Sequence, residues 1–549
     1  MSYPSKTPPM AIRMPNNAYP GYGSTHSDHM YDGSTTSQTY HTARNDHSFT
    51  SRSFRDTLDS CTRTSIMYMA ENLSKSYHDD RSIYLPEPPL DEEVGFESSS
   101  NKPMQELRDT LERTTSTHAD TVPGFVPLSR HVTVASVISE QLKRPDEHDG
   151  HIKSTFMQSI FNAMNVLIGV GILAFPLAFR YAGWVLGSFI FAFCALGTNY
   201  TAKLLARCID ASPGAMTYGD MGMAAFGEQG RAFIGGVFFV EMATMAVAMI
   251  TLLGDGLQAL YPLDHVTSRL LCFCLVTPFE FLPLRKLSAA SLLGIISCAS
   301  LVIIVLYDGF SKTEQPGSLW NPMPTEMLPS NLYHVPLSFG LMMAGFAGHA
   351  VFPNLLRDMQ DPKQYDRMVD LTYILTVTVY VVMAIAGYLM FGSETMQEIT
   401  QNLAITAGYS KILNSIALWL VVITPIVKFA LMIHPLHVAV ELWVGSRAWL
   451  QQWMDMDWKH TLFQGISRII VTIIAVYIAI VFPGFDRVMS LLGALFSFGI
   501  SVIFPIVCYQ RLYGESVSCF RSLCNYGMLV IAICMAATGT TWSFMPKDL

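Results

Sequence analysis

Between Lys153 and Arg180 lie 26 residues without a formal charge, STFMQSIFNAMNVLIGVGILAFPLAF. A run of that length is enough to cross a bilayer as a helix. Its centre, however, is Gly169-Val170-Gly171, with Pro176 close behind. In a helix interior glycine costs about 1 kcal/mol and proline about 3 kcal/mol relative to alanine, and proline also removes a backbone donor. The span is therefore predicted to be interrupted. Hydrocarbon cannot hydrate loose backbone, so a break at membrane depth survives only where protein or a watery cavity satisfies the freed N–H and C=O groups. That is the layout of a substrate site in a secondary transporter.

The remainder of the chain divides into two parts. Residues 1–150 carry 14 Lys+Arg and 21 Asp+Glu, whereas the other 399 carry 21 and 22. The acidic balance belongs to the first part. It is rich in Ser, Thr, His, Asp and Tyr, and has no long apolar period. Such a segment cannot bury enough surface to offset its ordering entropy, so a disordered N-terminal tail is expected, with one short helix at 104–113 and a more apolar patch at 122–142. No apolar stretch near Met1 has the length of a signal peptide, which leaves this tail in the cytosol. Its Ser and Thr residues are candidate phosphate acceptors and contacts for cytosolic regulators.

Residues 151–549 read as an all-α multi-pass membrane domain. Eleven apolar stretches are candidates for spans: 155–179, 182–206, 232–259, 268–284, 287–307, 334–354, 369–391, 410–433, 465–482, 487–509 and 524–544. The fourth is interrupted by Glu280, Pro278 and Pro283. With the tail in the cytosol, the cytosolic loops and span ends hold thirteen Lys+Arg and the opposite side six. Positive charge favours the cytosolic face, so this bias agrees with the N-terminus inside and the C-terminus outside.

Spans one and six share their punctuation. One reads Gly169-Val170-Gly171-Ile172-Leu173-Ala174-Phe175-Pro176, the other Gly345-Phe346-Ala347-Gly348-His349-Ala350-Val351-Phe352-Pro353. Lying five spans apart, they enter the membrane from opposite faces, as in a five-plus-five inverted repeat with its binding site at the paired breaks. Half-helix N-termini expose N–H groups and suit a carboxylate. Half-helix C-termini and unwound carbonyls suit an ammonium. A small zwitterion meets both, and the apolar setting favours an uncharged side chain. Gly169, Gly171, Ile172, Gly345, Phe346 and Gly348 are the candidate substrate contacts. Asn165 is either a further contact or a helix–helix hydrogen bond.

The stretch 156–210, with NVLIGVGILAFPLAFRYAGW and TAKLLARCID, resembles the amino acid/auxin permease family. Within that family it is most similar to the fungal vacuolar neutral amino acid transporters, relatives of the vesicular inhibitory amino acid transporter. The likeness extends through Thr217-Tyr218-Gly219-Asp220, GFAGHAVFPNLLRDM at 345–359 and TPIVKFAL at 424–431, and covers about 150–544. It implies an eleven-helix, LeuT-like inverted-repeat fold with one extra helix. It also implies proton-coupled amino acid movement, and for the vacuolar branch the exchange of luminal protons for cytosolic substrate.

Three ionisable groups inside the spans are candidates for coupling. A charge at mid-bilayer costs about 2.5–3.5 kcal/mol on insertion scales, so Glu241 in span three should face a cavity or a partner. His349 lies in the break of span six and has a side chain suited to proton relay. Lys428, read as lying towards the cytosolic end of span eight, offers a fixed ammonium where related sodium-driven transporters place a metal ion. The plainer alternatives are a helix-bonded Glu, a permanently neutral His and a snorkelling Lys. Asp255, near the end of span three, reads as interfacial. No nucleophile–base set, zinc-ligand spacing or GxxxxGK[ST] loop occurs, so no enzyme activity, cofactor, metal or nucleic-acid partner is expected. The partners implied are a small neutral amino acid, protons and the lipid bilayer. A symporter of the same fold running in the other direction, or an amino acid sensor signalling through the tail, stays open at this point.

Overall fold

The computed structural model describes residues 153–211, 218–282, 289–445, 447, 457–482, 484–514 and 516–545. The expectations for the tail, its helix at 104–113 and its patch at 122–142 lie outside these residues. Among the described residues the protein is helical throughout, with one isolated bridge between Ser154 and Met359. Eight helical stretches are long and apolar enough to cross a membrane, namely Val170–Asp210, Glu228–Leu260, Leu332–Asp358, Pro362–Glu394, Lys411–Glu441, Trp458–Val481, Phe485–Tyr513 and Cys519–Ser543.

The expected break in span one is present. Helix α1 (Phe156–Leu167) starts on a capping box, in which Thr155 Oγ1 accepts from Gln158 N and Gln158 Oε1 accepts from Thr155 N. This box satisfies two amides that a helix start leaves free. The helix ends where Ile168 and Gly169 become extended. A 3₁₀ turn, Val170–Ala174, leads into α2 (Phe175–Asp210), whose first turn carries Pro176. Proline is suited there, because a first-turn residue has no intrahelical partner for its N–H.

Helix α2 is itself divided at Gly183 (φ +68°), a left-handed conformation that a side chain would strain. The division falls between the stretches expected to form the second half of span one and span two. The amides freed there are met from a loop, with Trp184 N donating to Glu326 O at 3.1 Å and Val185 N to Met327 O at 2.9 Å.

After α3 (Tyr218–Phe226) come α4 (Glu228–Leu260), α5 (His265–Glu280) and α6 (Ala289–Ser311). Pro278 is accommodated inside α5, and Glu280, expected to interrupt the span, is the last helical residue. Glu280 is buried, and its Oε1 accepts from the Thr472 hydroxyl at 2.6 Å. A carboxylate is tolerated there because a neighbouring helix supplies its donor.

Span six repeats the plan of span one. Helix α7 (Val335–Ala344) stops at Gly345, a 3₁₀ turn covers His349–Val351, and α8 (Phe352–Asp358) opens with Pro353 in its first turn. Then follow α9 (Tyr365–Phe391), the short α10 (Ile399–Ile405), α11 (Lys411–Gly445), α12 (Asp457–Val481), α13 (Phe485–Tyr513) and α14 (Cys519–Ser543). Helix α11 runs on to Gly445, well past the expected end at 433. Lys428 therefore stands midway along a helix, buried, and not at a membrane-facing end.

The core sits where α7 packs on α2 and α13. Small residues allow their backbones to touch, since a Cβ on Gly340 would collide with Ser490 O and one on Gly493 with Gly340 O. Helix α13 is widened into π-helical turns at Leu492–Ser497 and Gly499–Ile503. The carbonyls this frees are used by neighbours. Thr201 donates to Ser501 O at 2.6 Å, and the Tyr218 hydroxyl donates to Ile500 O. Outward faces are apolar instead of polar, with Ile466, Ile470, Ile473 and Tyr477 exposed on α12 and Phe520, Leu523 and Val530 on α14. Exposed apolar surface on this scale marks a face made for lipid.

Candidate functional site

The two breaks meet. A Cβ on Gly171 would stand 3.0 Å from Gly345 Cα and 3.1 Å from Gly345 N, so the unwound backbones are in direct contact. Ile172 and Phe346 are buried beside them. Gly348 (φ +149°) has Val166 close against it, at 2.7 Å from where a Cβ would lie. The side of Gly169 is open by comparison, the nearest atom to a Cβ there being Leu167 O at 4.0 Å. Cys298 of α6 faces this opening, with its Sγ 4.0 Å from Gly169 O. Asn165 lies one turn earlier, half-buried in α1.

Aromatic rings close the site. Phe346 stacks on Tyr373 with centroids 6.2 Å apart and meets Tyr380 edge-on at 5.5 Å. Phe175 stacks on Tyr380 at 4.5 Å. Each such pair adds about 0.5–1.5 kcal/mol beyond the area it buries.

Tyr380, on α9, was not foreseen. Its hydroxyl is buried and lies 2.7 Å from Leu167 O and 2.7 Å from Gly345 O, one carbonyl from each break. A phenol has a single hydrogen to give, so two freed carbonyls share one donor. The signal available in the sequence was a tyrosine deep in an apolar span, because a hydroxyl in hydrocarbon must find a partner.

The three coupling candidates are placed separately. His349 is fully buried, with Nε2 at 2.9 Å from Thr198 O and 3.1 Å from Thr201 Oγ1. A carbonyl only accepts, so Nε2 carries a hydrogen. Nδ1 is buried without a hydrogen-bond partner among the described residues. Lys428 lies against α6, its Cε so close to Gly294 that a Cβ there would collide with it. Cys298, one turn along α6, carries this neighbourhood to Gly169. Glu241 is buried on α4, next to the exposed Phe239 and Val240. It stands at the border between the packed interior and the lipid-facing surface. No ion pair joins any two of these three residues among the described ones.

The ends of the site differ. At one end Ser154, before α1, is tied to the end of α8, its N donating to Asp358 O at 2.7 Å and its hydroxyl to Asp358 Oδ2 at 2.8 Å. At the other end, beyond the second half of span one, lies a cavity of about 500 Å³ lined by Leu177, Arg180, Tyr181, Leu337, Asp486 and Arg487 among others. Arg180 Nη1 donates from its wall to Thr395 O at 2.6 Å. The two ends of the interrupted spans thus differ, one tied by Ser154 and Asp358 and the other bordering this cavity.

Residues 152–545 match the family described as transmembrane amino acid transporter protein. Amino acid transporter AVT1B of Arabidopsis thaliana is 32% identical over 396 residues, which is 69% of this chain and 69% of that protein. Amino acid transporter AVT1E of the same plant is 28% identical over 464 residues, covering 81% of this chain and 82% of that one. Amino acid transporter AVT1I is 30% identical over 414 residues, covering 72% and 95%. With a multi-pass helical body, paired breaks at matching positions and a family match spanning that whole body, the chain belongs to the transmembrane amino acid transporter family.

Proposed function

We propose that this protein is a proton-coupled transporter of the vacuolar membrane, moving small neutral amino acids from the cytosol into the vacuole in exchange for luminal protons. The observation that carries the substrate class is the convergence of Leu167 O and Gly345 O on the Tyr380 hydroxyl. An ammonium brings three hydrogens where the phenol brings one. It would satisfy both carbonyls, while the carboxylate of the same molecule faces the amides of the break at Gly169 and Gly171. Asn165, Ile172, Phe346 and Gly348 complete the lining. The packed aromatic wall favours an uncharged substrate side chain.

The membrane frame of this reading has eleven spans. The eight long stretches become eleven when Val170–Asp210 is divided at Gly183, so that α1 and residues 170–182 form span one, and when α5 and α6 are added. Spans one to five and six to ten are then the inverted halves, and α14 is the extra helix. The N-terminus lies in the cytosol, the C-terminus in the lumen, and the tail meets cytosolic regulators. Ser154 and Asp358 fasten the cytosolic end, so the 500 Å³ cavity opens to the lumen.

Glu241, His349 and Lys428 are the residues we assign to proton coupling. Each pH unit of gradient supplies about 1.4 kcal/mol per proton, and each 100 mV about 2.3 kcal/mol. One unit supports about tenfold accumulation at one proton per cycle. The test is uptake by purified protein in vesicles. A neutral amino acid should be concentrated only while a proton gradient is held. Uptake that survives a protonophore but stops without sodium rejects the coupling ion.

A further inference from the structure

Helices α11 and α12 close around the end of α5, and the three together bury charges that the transport reading leaves unused. Glu280 is the last residue of α5, His437 and Glu441 stand on α11, and Arg468 and Thr472 on α12. The Glu280 and His437 side chains are 0% and 2% exposed. Glu280 Oε1 accepts from the Thr472 hydroxyl at 2.6 Å. Its Oε2 lies 3.3 Å from His437 Nε2, off the line of a hydrogen bond. Neither of these two atoms, nor His437 Nδ1, has a hydrogen-bond partner among the described residues.

The guanidinium of this group is committed to the other carboxylate. Arg468 Nε donates to Glu441 Oε1 at 3.3 Å, and its Nη1 donates to the backbone oxygen of Glu280 at 3.0 Å, not to the carboxyl. Glu441 Oε2 also accepts from Gln464 at 3.2 Å. The Glu280 carboxyl is left with a hydroxyl and an imidazole. A hydroxyl gives a hydrogen but no charge, and a buried carboxylate without a counter-charge is costly. Among the described residues no cation other than His437 is paired with that carboxyl. On α11, His434 is half-buried one turn before His437, and Lys428 lies further back against α6. On α4, Glu241 is buried and makes no ion pair with the group among the described residues. On α5, Arg269 is ion-paired with Asp255 towards the other end of the helix. On α12, Lys459 and His460 stand in the first turn, two turns before Arg468.

We propose that Glu280 and His437 form a proton-binding site, in which one proton is held as an imidazolium against the carboxylate and ties the end of α5 to α11. His437 stands nine residues beyond Lys428 on α11, about 14 Å along a helix. Lys428 in turn adjoins α6, whose Cys298 faces the break at Gly169. In the orientation proposed above, spans four and eight end on the cytosolic side and span nine begins there. The pair then lies between the interrupted spans and the cytosol, where it is placed to pass on the exchanged proton. When the proton leaves, Glu280 keeps an unbalanced buried charge and the contact between α5 and α11 weakens. The pair stands on its own contacts, whereas its place in the proton path rests on the transport reading.

The test uses the full-length purified chain with His437→Gln, Glu280→Gln and the two together. Glutamine at 437 can still donate a hydrogen to Glu280 but cannot carry the charge. His437→Gln should melt at a lower temperature than wild type. The double variant should melt above His437→Gln, because the carboxylate left without its counter-charge is gone. A single variant too unstable to purify, beside a double variant that purifies, is the same result. A double variant no more stable than His437→Gln overturns the proton site, and so does equal melting of wild type and His437→Gln. In vesicles, accumulation of a neutral amino acid on an imposed proton gradient should fall by about tenfold or more in Glu280→Gln. Accumulation equal to wild type overturns the place in the proton path. If wild-type protein ignores the gradient while the double variant still melts above His437→Gln, the transport reading falls and the proton site stands.

Discussion

Gly171 and Gly345 lie so close that a Cβ on Gly171 would stand 3.0 Å from the Cα of Gly345. The neighbour is backbone and cannot swing aside as the tip of a side chain does. Overpacking of this kind costs about 1–3 kcal/mol per small insertion. Gly171→Ala should therefore weaken amino acid binding by about tenfold or more. Gly171→Leu should abolish it, with normal insertion into the membrane. Binding to purified protein, followed by calorimetry, is the measurement. Wild-type affinity in the leucine variant removes the proposed site.

Tyr380→Phe deletes the one donor shared by Leu167 O and Gly345 O. A buried acceptor left unsatisfied costs about 1–3 kcal/mol. The variant should melt at a lower temperature than wild type without substrate, and should regain more of that loss when an amino acid is added, because the ammonium replaces the missing hydrogen. An equal substrate-induced shift in both proteins means that the ligand does not reach these carbonyls.

Lys428 is buried at mid-helix against Gly294. Lys428→Met keeps the stem and removes the charge. Proton-driven uptake in vesicles should fall by about tenfold or more at normal protein levels in the membrane. Undiminished uptake assigns Lys428 a packing role only.

Stability should depend on pH through Glu398. Its folded-state pKa is raised by burial and by Asp255. The folded chain then holds that proton more tightly than the unfolded chain does. The resulting stabilisation is complete below the ordinary Glu value of about 4.3, and is lost as the pH rises through the raised value. The purified protein should melt at a lower temperature at about pH 8 than at about pH 6, with a flatter dependence in Glu398→Gln. A wild-type protein more stable at the alkaline end contradicts this assignment.

The breaks were legible in the sequence because glycine and proline act where they stand. Phe175-Pro176 and Phe352-Pro353 each open a half-helix, and the glycines before them each end one. Helix ends set by distant partners were not legible. Hydropathy stops span eight near 433, where His434, His437 and Glu441 begin to appear. The helix nonetheless continues, with Glu441 paired to Arg468 at 3.3 Å and His437 Nε2 lying 3.3 Å from Glu280 Oε2. Asp255 reads as interfacial for the same reason. Its partner Arg269 is on the next helix. Tyr380 bonds across 213 residues to Leu167. Contacts of that reach leave no trace in local spacing.

The single-residue joint at Gly183 ties these parts together mechanically. With no loop between them, residues 175–182 and 184–210 are two arms on one pivot, and tilting either one turns the other. The pivot is clamped from outside, since the segment 326–328 bonds to Trp184 and Val185 and leans on Gly183 itself. That segment runs within a few residues into Leu332–His334 and then α7. The first half-helix and the start of span six are thereby joined through one short segment that touches both.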